Sequence, residues 1–397
     1  MTSLATGASL ASAAPTPLTL EQRPQTVPPD SAAADLLGTD LAGLRELADR
    51  ATPTDVDRAL AAKRRDLRDF SALLSVPAAA RLEDLATAAH RLTLQRFGRT
   101  VRLFAPLYLS SECVSTCTYC GFSAGNPITR RTLEPEEARA EAEELAGRGF
   151  RHLLLVAGEH ARIVNRDYLV ACVEAIAPVV DELSVEVQVW DTDMYRRLLA
   201  AGCDGLVVYQ ETYDRSTYAD VHLRGKKRNY DWRIAAPDRG GEAGMRRLGI
   251  GALLGLHDDW RSEAIALATH ATALTRRWWR SEISVALPRL RPAAGGFEPA
   301  DPVRDDQLVQ LMCALRLTLP DVGITLSTRE PSELRDALVP LGVTTLSAGS
   351  STEPGGYTTP DRSDPQFEVS DHRSPAEVAV ALRTAGYDPV WKDWQRS

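Results

Sequence analysis

Between Val101 and Ser347, short apolar runs alternate with longer amphipathic stretches, and that alternation leaves few folds open to the chain. The runs are Leu107–Leu109, His152–Ala157, Ser184–Val189, Gly205–Tyr209, Gly249–Leu256, Ile283–Leu287, Gly323–Ser327 and Thr344–Ser347. Between them, Glu134–Arg148, Asp167–Asp181, Asp193–Ala200, Ser262–Trp278, Asp305–Leu317 and Ser332–Leu338 read as helices. Continuous apolar runs of this length suit strands covered on both faces, as in a parallel sheet. Eight strands, each followed by a helix, predict an α/β fold closed into a (β/α)8 parallel barrel. In that architecture the chemistry gathers at the C-terminal ends of the strands.

The flanks read differently. Residues 1–33 are mostly Ala, Ser, Thr and Pro and are expected to form a disordered leader, too poor in large apolar side chains to offset the entropy of ordering. Residues 34–100 carry apolar positions at helical spacing, broken at Pro53 and Pro77, and predict an N-terminal helical extension of three or four helices. The barrel is expected over residues 101–349, and residues 350–397 form a C-terminal segment long enough to cap its mouth.

Directly after the first predicted strand stands Cys113-Val-Ser-Thr-Cys117-Thr-Tyr-Cys120. Three thiolates on one tight loop can hold three irons of a 4Fe–4S cube. The fourth iron then lacks a cysteine and is open to a small chelating ligand, the vacancy that a radical S-adenosylmethionine enzyme needs. A zinc site is the competing reading, but it usually takes four ligands from paired knuckles, and no second knuckle follows. Three incidental thiols are the other. Cys172, Cys203 and Cys313 stand singly in apolar or helical contexts and read as buried thiols.

Composition narrows the class. A net charge of −8 argues against a nucleic-acid binder, which would show a basic stripe. No run is long enough to span a membrane, and the first residues lack the order of a secretory signal. Six cysteines without a disulfide-like framework fit a reducing cytoplasm.

Beyond the cysteines, a series of segments recurs in one order. They include Leu107-Tyr108-Leu109-Ser110, Cys120-Gly121-Phe122-Ser123, Gly158-Glu159-His160, Val208-Tyr209-Gln210-Glu211-Thr212-Tyr213 and Gly225-Lys226-Lys227. They continue through Pro288-Arg289-Leu290-Arg291-Pro292, Leu326-Ser327-Thr328-Arg329-Glu330, Pro354-Gly355-Gly356-Tyr357 and Val390-Trp391-Lys392-Asp393-Trp394. From about Tyr108 to Trp394 the chain resembles the radical S-adenosylmethionine 2-iminoacetate synthases, the tyrosine lyases of bacterial thiazole biosynthesis.

That resemblance implies a 4Fe–4S cluster on Cys113, Cys117 and Cys120, with S-adenosyl-L-methionine as the second cofactor. It implies cleavage of the Cα–Cβ bond of L-tyrosine to 2-iminoacetate and 4-methylphenol. Gly158 and Glu159 would receive the methionine amino group, Arg233 the methionine carboxylate and Glu211 the ribose hydroxyls; Leu253 and Leu256 would face the adenine. Arg329 would hold the substrate carboxylate, with Tyr108 beside the substrate amine and Ser347 near substrate or a water; Arg289 and Arg291 would line the same mouth. Each position also has a plain reading. Glu159 could be a solvated turn residue, Arg233 could pair with Asp231 or Asp238, Arg329 with Glu333, and Tyr108 could be a buried aromatic.

The expected partners are tyrosine, a reductase or flavodoxin-type electron donor, and a thiazole synthase that receives the labile product. Arg224, Lys226 and Lys227 read as a solvated basic run, or as a face for an acidic partner. A tryptophan lyase would share the cluster and Arg329. A tyrosine lyase serving hydrogenase assembly would carry further cysteines near the C-terminus, and none follows Cys313. A non-catalytic electron carrier would leave Arg329 and Tyr108 unexplained, and an all-thiolate cluster needs a fourth cysteine.

Overall fold

A computed structural model describes residues 26–299 and 301–392. Its centre is an all-parallel sheet of β1 (Thr100–Ser110), β2 (His152–Ala157), β3 (Glu182–Glu186), β4 (Gly205–Glu211), β5 (Arg247–Ala252), β6 (Glu282–Ala286), β7 (Gly323–Leu326) and β8 (Thr345–Ser347). Successive strands pair in order, and β1 closes the ring by pairing with both β8 and β2. A ninth strand, β9 (Asp388–Val390), runs beside the first residues of β1. The expected eight-stranded barrel is therefore present.

Alternation along the strands sorts the side chains. Leu153, Leu155, Leu183, Val185, Leu206, Val208, Leu248 and Ile250 point outward into the core shared with the helices. His152, Leu154, Ser184, Val207, Tyr209, Gly249, Ser284 and Thr325 point into the barrel. Several strands start earlier than the apolar runs suggest, because their first residues are charged. Arg102, Glu182, Arg247 and Glu282 line the lower end of the barrel and pair there, with Arg247 Nε 3.1 Å from a Glu282 carboxylate oxygen and its Nη1 on Glu182. A charge inside a strand is tolerated where its partner sits on the neighbouring strand.

Residues 32–97 form six helices, more than the three or four expected. The sequence explains their brevity. Ser31, Asp40, Thr52, Asp66 and Ser75 each cap a new helix start, Thr52 and Asp66 in reciprocal capping boxes. Pro53 and Pro77 occupy first-turn positions, so they begin helices and do not only end them.

Of the expected leader, residues 1–25 lie outside the described residues, but its last part docks. Helix Ala32–Leu37 buries Ala32, Ala33 and Leu36, and buried Asp238 accepts from Ala32 N at 2.9 Å, Ala33 N at 3.1 Å and Trp278 Nε1 at 2.9 Å. Asp238→Ala leaves three buried donors unpaired and is expected to cost on the order of 3 kcal/mol. A thermal melt checks it; an unchanged transition would mean that packing alone holds the helix.

The C-terminal segment crosses the upper end of the barrel. Gly121 N donates to Gln366 O at 3.2 Å, Ser370 N to Thr328 O at 2.9 Å and Glu368 N to Pro292 O at 3.0 Å. These bonds tie the loops after β1, β7 and β6 to one strap. Helix Pro375–Thr384 and β9 then carry the chain to the lower end, where Trp391 meets Phe150 edge-on at 5.4 Å.

Candidate active site

The cysteine loop follows β1 and is held from two sides. Val114 N donates to Glu159 O at 2.9 Å, and Thr118 N to Val221 O at 3.0 Å. Thr116 exchanges bonds with the loop after β4, donating to Arg224 O at 3.2 Å and accepting from Leu223 N at 3.3 Å. Gly158 lies so close to the Glu112 carbonyl that a Cβ there would collide with it. Gly225 adopts φ +92° against Ser115, where an L side chain would be strained as well as crowded.

Cys113, Cys117 and Cys120 are free thiols. Cys117 packs with Tyr119, Val221, Leu253 and Leu256, while Cys113 and Cys120 pack against the Phe104, Tyr108 and Phe122 group. Burial pushes the Cys113 thiol up to about 11 and raises Cys117 too, the latter against the pull of Lys227. Buried thiolates become favourable only with cations bound to them. Among the described residues no three His, Cys, Asp or Glu side chains converge on one ion. A cube instead takes one thiolate per iron, and three soft donors in a largely apolar shell fit it.

Beside the loop lies a buried polar cluster. Arg233 Nη1 donates to Glu159 Oε1 at 3.2 Å, its Nε to Tyr209 O at 2.7 Å, and its Nη2 stands 3.8 Å from Glu211 Oε1. Lys227 Nζ donates to Glu211 Oε1 at 2.7 Å, and Ser115 Oγ to Glu159 Oε2 at 3.2 Å. Burial alone would raise the Glu211 carboxyl, but Lys227 and Arg233 outweigh it and hold it below the usual carboxylate range. Glu211 also sits at φ +72°, where the β4–β5 register shifts. A non-glycine residue in this region is strained, and the grip on its carboxylate over-determines it. Arg233 thus pairs with Glu159 and Glu211, not with Asp231 or Asp238.

Tyr209, Glu211 and Lys227 of this cluster border a cavity at the C-terminal ends of the strands, lined also by Cys120, Leu253, Arg291, Arg329 and Gln366. Arg329 stacks its guanidinium 3.5 Å over the Phe367 ring, and no carboxylate among the described residues pairs with it. The pairing with Glu333 is not formed. Tyr108 donates its hydroxyl to Gln366 Oε1 at 2.8 Å, and Gln366 Nε2 points to Cys120 Sγ at 3.6 Å. Ser347 accepts from Thr328 N at 3.0 Å, so its hydroxyl holds the turn that presents Arg329. Leu253 and Leu256 pack on Cys117 and Tyr119, and Leu253 N donates to Glu211 O at 2.7 Å.

Arg289 does not face the cavity as a free cation. It forks onto Glu330, with Nε 2.9 Å from Oε1, and its Nη1 reaches Asp305 at 2.7 Å. Arg291 does line the cavity, and its Nε is buried without a hydrogen-bond partner among the described residues. Lys227 is not part of a solvated run either: its chain turns inward onto Glu211, with the ammonium 5.7 Å from the Tyr119 ring.

Sequence reasoning missed Gln366 and Phe367 on the strap and two further residues. Glu186 ends β3 and lines the cavity with no hydrogen-bond partner among the described residues. Burial, reinforced by Glu211, raises its carboxyl to about 7 against the opposing pull of Lys227, Arg329 and Arg233. The alternation Glu182-x-Ser184-x-Glu186 was the available signal, since Ser184 points inward. His222 is the other. Its Nδ1 faces Tyr218 O at 2.8 Å, its Nε2 faces the Tyr119 hydroxyl at 2.8 Å, and burial lowers it to about 3. A neutral ring with Nδ1 protonated satisfies both contacts.

The chain is similar to known proteins in sequence and in fold. Residues 107–268 match the radical SAM superfamily, and residues 286–388 match the biotin and thiamin synthesis associated domain. The 2-iminoacetate synthases of Escherichia coli (strain K12) and Salmonella typhimurium are each 46% identical over 343 residues, 86% of this chain and 91% of theirs. Among solved structures, HydG, a maturase of the [FeFe]-hydrogenase, superposes with a TM-score of 0.85 at 32% identity, covering 90% of this chain and 81% of its own. Methylornithine synthase shares the fold, with a TM-score of 0.69 at 22% identity over 85% of this chain and 97% of its own. Identity at this level along nine-tenths of the relatives' length places the chain in the 2-iminoacetate synthase family of the radical SAM superfamily.

Proposed function

We propose that the chain cleaves the Cα–Cβ bond of free L-tyrosine, yielding 2-iminoacetate for thiazole formation and 4-methylphenol. One observation carries the substrate reading. The cavity that receives Cys120 of the cysteine loop also presents Arg329, a guanidinium stacked and aimed but unpaired. Cys113, Cys117 and Cys120 would hold the 4Fe–4S cluster, which together with S-adenosyl-L-methionine would supply the radical chemistry at the substrate amine.

The chain's own residues do the positioning. Arg329 holds the substrate carboxylate, and its stack on Phe367 fixes the plane of the fork. Tyr108, anchored through Gln366 to the cysteine loop, borders the amine. Glu159 with Gly158 receives the methionine amino group and Arg233 the methionine carboxylate, while Glu211, steadied by Lys227, accepts from the ribose hydroxyls. Leu253 and Leu256 cover the adenine, and the strap through Gln366 and Phe367 keeps water out. No helix of the described residues is long and apolar enough to cross a membrane. With six free cysteines, a reducing cytoplasm is the compartment that suits the chain.

Anaerobic turnover with tyrosine and tryptophan in parallel, read by product mass, tests the assignment. Release of 4-methylphenol from tyrosine is expected; an indolic product with tyrosine inert would replace the substrate. A pH profile tests Glu186. As an anion it accepts hydrogen bonds from the substrate, so turnover is expected to rise as pH passes about 7 and its carboxyl ionises. Glu186→Gln should flatten that limb and lower kcat/KM; an unaltered profile would remove Glu186 from the site.

A further inference from the structure

Gln366 stands where the strap, the cysteine loop and the substrate cavity meet. It lines the cavity, its Oε1 accepts from the Tyr108 hydroxyl at 2.8 Å, and its Nε2 lies 3.6 Å from Cys120 Sγ. Its backbone is held on both sides. Gln366 N donates to Thr352 O at 2.9 Å, and Gln366 O accepts from Gly121 N at 3.2 Å. The strap comes so close to the cysteine loop there that a Cβ at Gly121 would strike the Gln366 carbonyl. The flanking residues are tied as well: Thr129 N donates to Asp364 Oδ2 at 2.6 Å, and Thr352 Oγ1 to Phe367 O at 2.9 Å. A side chain on a backbone fixed in this way reaches its partners preorganised.

The two neighbours decide which way the amide faces. An iron-bound thiolate carries no proton and can only accept, so the NH2 end belongs on Cys120. The carbonyl end is then left for Tyr108, whose single hydroxyl proton is committed to it. The Tyr108 oxygen keeps its lone pairs for another donor, and an amine N–H is one. On the other side, an N–H on a ligand sulfur stabilises the added negative charge of a reduced cluster and raises its reduction potential.

We propose that Gln366 is a positioning residue with two roles: its N–H on Cys120 raises the potential of the cluster, and its carbonyl orients Tyr108 to accept from the substrate amine. The inference rests on the reading of Cys120 as a cluster ligand and of Tyr108 as the residue beside the amine. It gives the C-terminal strap, 246 residues beyond Cys120, a direct part in the chemistry of the cysteine loop.

The test uses the full chain with its cluster reconstituted and the variant Gln366→Leu, which keeps the bulk and removes both polar ends. A redox titration followed by electron paramagnetic resonance, without S-adenosyl-L-methionine or tyrosine, reads the potential. At a set potential the ratio of reduced to oxidised cluster should fall about tenfold, a shift of about 59 mV to more negative values for one electron. Tyr108→Phe should leave the potential at its wild-type value, because the amide stays on the sulfur. KM for tyrosine should rise in both variants, and combining them should raise it no further than Tyr108→Phe alone, since the two remove one shared contact. Gln366→Glu, at a pH where its carboxylate is ionised, keeps an acceptor for Tyr108 but loses the donor. It should lower the potential while raising KM less than leucine does, and it decides the matter if the leucine variant fails to load iron. A wild-type potential in the Gln366 variants would overturn the tuning role, and multiplicative effects on KM in the double variant would overturn the orienting role. A wild type that loads its cluster yet makes no 4-methylphenol would instead strike the activity reading, and the shift in potential would still be measurable.

Discussion

Replacing any one of Cys113, Cys117 or Cys120 with alanine is expected to abolish reductive cleavage of S-adenosyl-L-methionine altogether. Each thiolate holds one iron, and two anchors leave the cube labile. Among the described residues, Cys117 lies among Tyr119, Val221, Leu253 and Leu256, and Gln366 is the polar side chain that reaches Cys120. Fold stability should change little, because the loop is held by backbone bonds to Glu159, Val221 and Arg224 and not by the thiols. Iron content, the electron paramagnetic resonance of the reduced protein and 5′-deoxyadenosine release provide the readouts. Normal turnover in any of the three variants would mean that the ligand set is different.

Arg329→Lys should spare cluster assembly and cofactor binding yet disable productive tyrosine cleavage. Lysine keeps the charge but loses both the fork that fixes a carboxylate plane and the flat stack on Phe367. A charge-assisted bidentate contact of this kind contributes on the order of 2–4 kcal/mol, so kcat/KM should fall by roughly thirtyfold to a thousandfold. A misplaced amine also leaves the radical without its proper target, so 5′-deoxyadenosine should continue to form while 4-methylphenol nearly disappears. Should coupling and apparent tyrosine affinity both stay normal, the anchor lies elsewhere. Arg291 is then the better candidate, since its Nε is buried, unpaired and at the same cavity; Arg289 is not, being committed to Glu330 and Asp305.

The cysteine loop, the barrel and its polarity were legible because each is written in short-range spacing. A short, mostly apolar run between turns reports a strand, and eight such runs with helices between them report closure. The ends of those strands were not legible, because Arg102, Glu182, Arg247 and Glu282 look like surface residues until their neighbours across the sheet are known. The same holds for the start of the N-terminal helices. Ala32 and Ala33 read as part of a featureless leader, yet their amides find Asp238 more than two hundred residues away.

The sequence alone determined what is local: three thiols on one loop after the first strand, and the strand-and-helix alternation that carries that loop to a barrel mouth. Tertiary structure decided which charges are spent and which are left for a ligand. Arg289 and Arg329 lie forty residues apart in similar contexts, but Glu330 and Asp305 neutralise the first, while the second stacks on Phe367 and forms no ion pair among the described residues. Lys227 belongs to a basic run by sequence and to Glu211 by folding, and Glu186 gains its unpaired place from the strands on either side of β3. The physical reason is the same throughout. A buried charge is costly unless the fold brings it a partner, and that partner is chosen by which strands, helices and loops pack together, to which spacing along the chain is blind.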